Sequence, residues 1–198
     1  MTCLSLASMM NKPFLDNLPV PDPRLDSHEH INVHYNDAVT ALGRQLSTYY
    51  VQAFKHPYFG PFRCVEGFMR YVRTGCRDDA FRGLTGSQAK SYFYQQIKAK
   101  KLITYEIEDE EKVLMLAMHA RLIQHPVTAE LFVNSTLPFE NYFLWAEDKK
   151  VPREERVPAR PEESAMVIHS LTTLREYMQA GETPEPLSRA AYAKLRKT

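Results

Sequence analysis

Apolar residues recur at helical spacing in several stretches of the chain. Between Val65 and Val72 they fall at i, i+3, i+4 and i+7, which predicts a helix with one buried stripe. Gly75 follows at a position where helices commonly end. Further helices are predicted over 87–97 and 112–124, from residue 126 onward, over 161–181 and, short and basic, within 187–197.

Runs of β-branched and aromatic residues predict only short strands. A proline- and glycine-containing turn at 56–61 separates the second strand from the first helix. The aromatic segment 137–145 fits either a strand or a loop, and the charged, proline-containing segment 149–161 predicts an exposed loop. The predicted strands are 31–35, 49–54 and 102–107. The pattern as a whole predicts a predominantly helical α+β fold.

Prolines separate a central region from two ends. Four prolines interrupt the first thirty residues, which predicts an irregular arm. A second proline cluster at 183–186 predicts a linker. The length of 198 residues suits one domain with tails. We therefore expect an arm over 1–30, a single compact domain over 31–181, and a linker with a short basic helix over 182–198.

Composition limits the possible classes of protein. With 44% hydrophobic residues the chain can build a core, and a net charge of +1 means that nucleic acid would have to be held by a local basic patch. Three cysteines without CxxC spacing argue against a disulfide scaffold or a four-thiolate zinc site. No apolar run approaches the roughly 18 residues of a membrane span, and no signal-peptide pattern is evident. We expect a cytoplasmic protein without membrane contact, metal or cofactor.

Residues able to carry chemistry are distributed over short motifs in a fixed order. Familiar signatures such as a Gly-rich phosphate loop, GxSxG and HExxH do not occur. The motifs are GRQLSTYY at 43–50, HPYFGPF at 56–62, VEGF at 65–68, Ala89-Lys90, ARLIQHP at 120–126, and LPFENY at 137–142 with Trp145 close behind.

This order resembles the NADAR (YbiA-like) family over about residues 31–178. In that family a glycine and an (F/L)SN-aromatic stretch precede a strand, and a helix with an SEHYFQ-like start follows. An Ala-Lys/Arg helix, a helix ending near His/Asn-Pro, a distal acidic residue and a Y-W-G complete the pattern. The differences are Thr48 for the usual Asn, Val65 for Ser, Gly67 for His, Tyr92-Phe93 for Gly and Ala146 for Gly.

The resemblance implies a compact α+β domain that hydrolyses N-glycosidic bonds. Some members act on early riboflavin-pathway intermediates. Others remove ADP-ribose from guanine bases and so reverse DNA ADP-ribosylation by DarT-type toxins, and some of these are carried by phages as counter-defence. We expect an ADP-ribosylglycohydrolase whose substrate is ADP-ribosylated guanine in DNA and whose product is ADP-ribose, with no obligate protein partner.

Two alternatives stay open. The chain can be an N-glycosidase for a small ribosylated metabolite such as a riboflavin-pathway intermediate. It can also be a non-catalytic module that binds ADP-ribose, an alternative that the changed residues on either side of Glu66 keep open.

Cleavage of a ribosyl–base bond defines which side chains a site needs. The bond breaks through a cation-like sugar, so a carboxylate must stabilise that charge or activate water. Glu66 is the candidate, because it lies in the first turn of a helix, where an anion is favoured. The plain alternative is a surface ion pair with Arg70, four residues on. Lys90 and Glu140 are the predicted orienting or proton-handling partners.

Aromatic and basic residues complete the predicted site. Aromatic rings can stack on a purine, and a hydroxyl can donate to ribose or phosphate. The predicted substrate-binding residues are Ser47, Tyr49, Tyr50, Phe62, Tyr142 and Trp145. The predicted DNA contacts are Arg63, Arg70 and Arg73, with further basic clusters at 98–101 and 189–197. We expect the catalytic and substrate-binding side chains to converge in one aromatic cleft.

Overall fold

The computed structural model describes residues 19–102, 104, 107, 109–148 and 150–194, and it is an α+β structure. Within these residues seven α-helices alternate with short strands. In chain order the elements are β1 (Ile31–Asn32), α1 (Ala41–Leu46), β2 (Phe54–His56), β3 (Gly60–Phe62), α2 (Val65–Arg73), α3 (Gly86–Lys98), α4 (Glu110–Leu122), α5 (Pro126–Asn134), β4 (Phe139–Glu140), β5 (Phe143–Trp145), β6 (Val157–Ala159), α6 (Ser164–Gln179) and α7 (Arg189–Lys194).

The chain divides into two compact units, each built from two separate stretches of sequence. The first unit comprises Met1–Ser47 and Glu130–Glu182. The second comprises Thr48–Ala129 and Thr183–Thr198. Helix α5 contains the division between them.

The first unit combines two pairs of strands with α1 and α6. Strand β1 pairs in parallel with β4, and β5 pairs antiparallel with β6. Helix α6 packs on β4 through buried residues at helical spacing, among them Ile168, Leu171 and Leu174. The rings of Phe132 and Phe139 stack with their centroids 5.6 Å apart in the core of this unit.

The second unit is centred on α2, whose residues are almost all buried. The antiparallel β2–β3 hairpin, α3 and α4 pack around this helix. Phe62 of the hairpin meets Phe68 of α2 edge to face, with centroids 5.1 Å apart. A Cβ on Gly67 would lie 2.6 Å from the carbonyl oxygen of Phe81. Only glycine therefore allows α2 to approach the backbone of Phe81 this closely.

The predicted helices are confirmed, with ends that differ by a few residues. The helix predicted over 65–72 is α2, and Gly75 follows it with φ of 68°. The helices predicted over 87–97 and 112–124 are α3 and α4, and Pro126 begins α5. Helix α6 lies within the predicted 161–181. These predictions succeed because apolar stripes and capping residues are local properties of a sequence.

Two predictions of local structure are wrong. The strand predicted over 49–54 is a turn at Thr48–Tyr49, and the strand begins only at Phe54. The loop predicted over 149–161 contains β6, which pairs with β5. Both errors arise because strand formation depends on a partner that lies elsewhere in the chain. The strand predicted over 102–107 lies partly outside the described residues. Residues 1–18 of the predicted arm lie entirely outside them.

The C-terminal helix belongs to the core of the second unit. Tyr192 of α7 is buried, and its hydroxyl lies 3.2 Å from Nε2 of His56. The ring of Phe59 lies 5.1 Å from that of Tyr192. The segment predicted as a linker and terminal helix is thus anchored by aromatic packing. No helix in the described part of the chain is long and apolar enough to cross a membrane.

Candidate functional site

Glu66 is held at the beginning of α2 by the turn that precedes this helix. Its backbone N–H donates to the carbonyl of Thr48 at 2.9 Å. Cys64 caps the helix, since its Sγ accepts from the Gly67 N–H at 3.4 Å. Glu66 is only 6% exposed. A carboxylate is therefore fixed inside the protein at the end of a helix dipole that favours negative charge.

Both oxygens of the Glu66 carboxylate have partners. Oε1 accepts from Arg70 Nε at 2.8 Å and lies 2.7 Å from Arg70 Nη2. Oε2 accepts a longer bond from the Thr48 hydroxyl, at 3.2 Å. The Glu66–Arg70 pair, which was the plain alternative to a catalytic Glu66, exists, but it is buried because the hairpin, α3 and α4 cover α2. Buried charge is tolerated here because the two side chains neutralise each other.

Arg70 connects the carboxylate to α3. Its guanidinium lies over the ring of Phe93, 4.7 Å from the centroid, and 5.8 Å from that of Tyr94. Contacts of a guanidinium with aromatic faces are attractive. Arg70 was predicted to contact DNA, but its burial places it inside the protein, where it positions Glu66.

Lys90 lies close to the same turn, on the exposed side of α3. Its Nζ lies 5.9 Å from the centroid of the Tyr49 ring. One helical turn earlier, a Cβ on Gly86 would lie 2.4 Å from the Tyr49 Cα. The absence of a side chain at Gly86 therefore lets α3 approach the turn closely. The dipeptide Thr48-Tyr49 thus joins Glu66 on one side to Lys90 on the other.

Three of the predicted substrate-binding residues lie in the second unit. Tyr49 contributes to the site just described, and Tyr50, its neighbour in the turn, is half-buried. Phe62 is 1% exposed and packs against Phe54 and Phe68. Phe62 is consequently a core residue, which corrects its predicted role in stacking on substrate. Its aromatic character was a signal of burial.

The remaining predicted residues belong to the first unit. Glu140 Oε2 accepts from Arg160 Nη1 at 2.6 Å, in a largely buried pair. Ser47 is buried where α1 ends, while Trp145 is half exposed. The structure thus brings Glu66, Tyr49 and Lys90 together in one unit and places Glu140 in the other.

Tyr142 is a buried structural residue. Its backbone N–H donates to Asn32 Oδ1 at 3.2 Å, and its carbonyl accepts from Asn32 Nδ2 at 3.0 Å. Its hydroxyl lies 2.9 Å from His30 Nε2. Burial raises the pKa of Tyr142 and lowers the pKa of His30, so both groups are neutral at pH 7. The predicted role of Tyr142 in stacking on substrate is corrected accordingly.

The other two arginines predicted to contact DNA differ in accessibility. Arg73 Nε donates to Glu110 Oε1 at 2.5 Å, which joins α2 to α4. Arg63 is exposed, and its Nη1 donates to the Gly83 carbonyl at 3.4 Å. Arg63 is therefore the arginine of the three that a DNA backbone can reach most easily.

The Cys64 thiol, directly before α2, is unsuited to act as a nucleophile. Burial raises the pKa of the Cys64 thiol to about 11, so it is protonated at neutral pH and a poor nucleophile. Among the described residues, His, Cys, Asp and Glu side chains form no group of three or more that could hold a metal ion.

No protein-family model, curated protein or solved structure matches the chain.

Proposed function

We propose that this chain is a NADAR-like N-glycosidase that removes ADP-ribose from guanine bases in DNA. The observation that supports this proposal is the buried Glu66 carboxylate, oriented by Thr48 and Arg70 and joined to Lys90 through the Thr48-Tyr49 turn. A carboxylate bonded to Thr48 and a cation over the ring of the next residue, Tyr49, can serve a sugar with a nearby charged phosphate. The order of motifs along the chain supplies the substrate class.

Glu66 is the group that would act on the ribosyl–base bond. As the bond from C1′ to the base nitrogen breaks, its electron pair leaves with the base and positive charge develops on the sugar. Oε2 is the oxygen that would stabilise this charge or accept a proton from the attacking water. Its hydrogen bond from Thr48 is longer than the bonds that Arg70 makes to Oε1, so Oε2 is the less firmly held oxygen. Water then adds its hydroxide to C1′, and its proton ends on the base.

Lys90 would orient the substrate. Its ammonium is exposed and lies over the Tyr49 ring, where it can donate to a phosphate or ribose oxygen. Tyr49 is half-buried and held in place by Gly86. Glu140, paired with Arg160 in the first unit, stays a prediction as a proton-handling residue.

A non-catalytic ADP-ribose-binding module is the second candidate. The observation that favours it is that both oxygens of Glu66 already have protein partners. A carboxylate used only to neutralise Arg70 would look the same. The two candidates differ in one measurable property, which is turnover.

The test is incubation with an oligonucleotide that carries ADP-ribosylated guanine, in the presence of EDTA. We expect release of ADP-ribose that falls about 100-fold or more in Glu66→Gln. Glu110→Gln is the matched control, because it also neutralises a glutamate that pairs with an arginine of α2. Glu140→Gln tests the first unit in the same assay.

The other outcomes discriminate between the candidates. Full activity of Glu66→Gln would remove Glu66 from the chemistry. Binding of ADP-ribose without turnover on any adduct would identify the binding module. Hydrolysis of a free ribosylated nucleotide, with none of the oligonucleotide, would identify a metabolite enzyme.

A further inference from the structure

One face of α3 combines exposed lysines with an exposed aromatic ring. Lys90, Tyr94, Ile97 and Lys98 follow one another at i, i+4, i+7 and i+8, so they share one side of the helix. Tyr94 is 54% exposed, and Lys90 and Lys98 are exposed as well. Lys100 and Lys101 continue the basic character just beyond the helix. We call these six residues the α3 face.

The lysines of the α3 face lie in a stretch of sequence without acidic residues, which ends where the acidic residues at 106 and 108–111 begin. Residues 83–105 contain four lysines and no aspartate or glutamate. Among the residues that the structure describes, the ion pairs involve none of these lysines. This segment is therefore basic although the net charge of the chain is only +1, and a polyanion would complement its lysines.

At the end of α3, a lysine occupies a position whose backbone conformation favours glycine. Lys100 has φ of 55°. Its N–H donates to the Ile97 carbonyl at 2.8 Å, and the Lys101 N–H donates to the Gln96 carbonyl at 2.9 Å. This is the helix ending in which glycine is usual at the Lys100 position. Lys100 thus occupies a backbone conformation that glycine adopts more readily.

Tyr94 is a firmly held platform. The Arg70 guanidinium lies beneath it, 5.8 Å from the ring centroid, and Arg70 is fixed by its bonds to Glu66. Phe93 meets the Tyr94 ring edge to face, with centroids 5.7 Å apart. An exposed aromatic ring with fixed orientation loses little conformational freedom on stacking against a ligand.

We propose that the α3 face binds single-stranded nucleic acid, with the lysines on phosphates and Tyr94 stacked on an unpaired base. Aromatic rings interleaved with cations are the typical arrangement for single strands, since every base offers a π face. A duplex would offer the lysines phosphates but would keep its bases stacked on one another. The inference that the enzyme's substrate is single-stranded rests on the proposed function, whereas binding of the strand does not.

The experiment measures fluorescence anisotropy with an unmodified, labelled single-stranded oligonucleotide of mixed sequence. The triple variant Lys98→Gln/Lys100→Gln/Lys101→Gln should lower the slope of log K against log salt by about 2, because each phosphate contact on a single strand contributes about 0.7. Tyr94→Leu should weaken binding about fivefold or more and leave the slope unchanged. Lys55→Gln is the control, because it removes an exposed lysine from β2.

Lys100→Gly separates binding from helix stability. It should reduce the salt slope by about 0.7 while raising the thermal midpoint, because glycine suits the backbone at that position. A lysine that only stabilised the helix end would give a lower midpoint and unchanged binding.

The proposal would be overturned if the protein did not bind the single strand at low salt, or if it bound the matching duplex as tightly as the single strand. It would also be overturned if the Tyr94→Leu and triple-lysine variants bound the single strand as tightly as the wild type does. Preference for anionic vesicles over the oligonucleotide would also overturn it. The oligonucleotide carries no ADP-ribose, so the protein can bind it and still fail to hydrolyse the ADP-ribosylated substrate. The protein can also hydrolyse that substrate without binding the unmodified strand. The two proposals are therefore tested separately.

Discussion

Thr48 bonds Glu66 twice, once through its carbonyl to the Glu66 N–H at 2.9 Å and once through its hydroxyl to Glu66 Oε2 at 3.2 Å. The first bond positions the backbone at the start of α2. The second orients the carboxylate. A residue just before Tyr49 therefore connects the turn to the candidate catalytic acid.

Removal of the Thr48 hydroxyl should reduce activity more than stability. We expect Thr48→Val to keep the backbone bond, lose the bond to Oε2 and destabilise the protein by about 1 kcal/mol. ADP-ribose release should fall several-fold, and Thr48→Ser should restore much of it. Steady-state kinetics and urea unfolding measure the two effects. Wild-type activity in Thr48→Val would show that this bond does not orient the Glu66 carboxylate.

Loss of the Arg70 side chain should strongly lower the free energy of unfolding of the second unit. Arg70→Met leaves a buried carboxylate without its ion-pair partner, which costs about 3–5 kcal/mol. The double variant Glu66→Gln/Arg70→Met should recover a large part of that loss, because no unpaired charge remains. Urea unfolding of the wild type, both single variants and the double variant gives the coupling energy. Additive effects would contradict a coupled buried pair.

A side chain at Gly86 should disturb the turn that carries Tyr49. The Cβ of Gly86→Ala would lie 2.4 Å from the Tyr49 Cα, so the backbone of α3 or of the turn must move. We expect a loss of about 1–3 kcal/mol in the free energy of unfolding and a clear loss of activity. Gly83→Ala is the matched control, because its Cβ meets nothing within 4 Å, and it should change stability by less than about 0.5 kcal/mol.

Stability should fall in mild acid because of His56. Burial lowers the pKa of this imidazole from 6.5 to about 4. Between these values the unfolded chain binds a proton that the folded protein does not, so stability decreases as pH falls from 6.5 to 4 and levels off below. The full effect of one such group is about 3 kcal/mol.

Comparison of two histidine variants isolates this contribution. Unfolding free energies measured between pH 4 and pH 7 should depend less on pH in His56→Phe than in the wild type. His28→Gln, which replaces an exposed histidine, should keep the wild-type dependence. A pH dependence unchanged in His56→Phe would show that folding does not lower the pKa of this histidine.

Local patterns were enough to predict helices α2 to α7, but not α1, and one candidate acid. The stripe from Val65 to Val72 predicts α2 without knowledge of what covers it, and Glu66 follows from its place in the first turn. Prediction of the α3 helix succeeded for the same reason, and the turn predicted at 56–61 is present but confined to residues 57–59, between β2 and β3. Side-chain spacing, caps and turn residues act within a few positions of one another.

Burial and pairing were decided only by the folded chain. The Glu66–Arg70 pair is buried because the hairpin and two helices cover α2, and Phe62 and Tyr142 are core residues because distant segments enclose them. Strand β1 pairs with β4 across more than a hundred residues. Such contacts arise when apolar surface is removed from water by whichever segments meet in space, and proximity along the chain does not specify which ones those are.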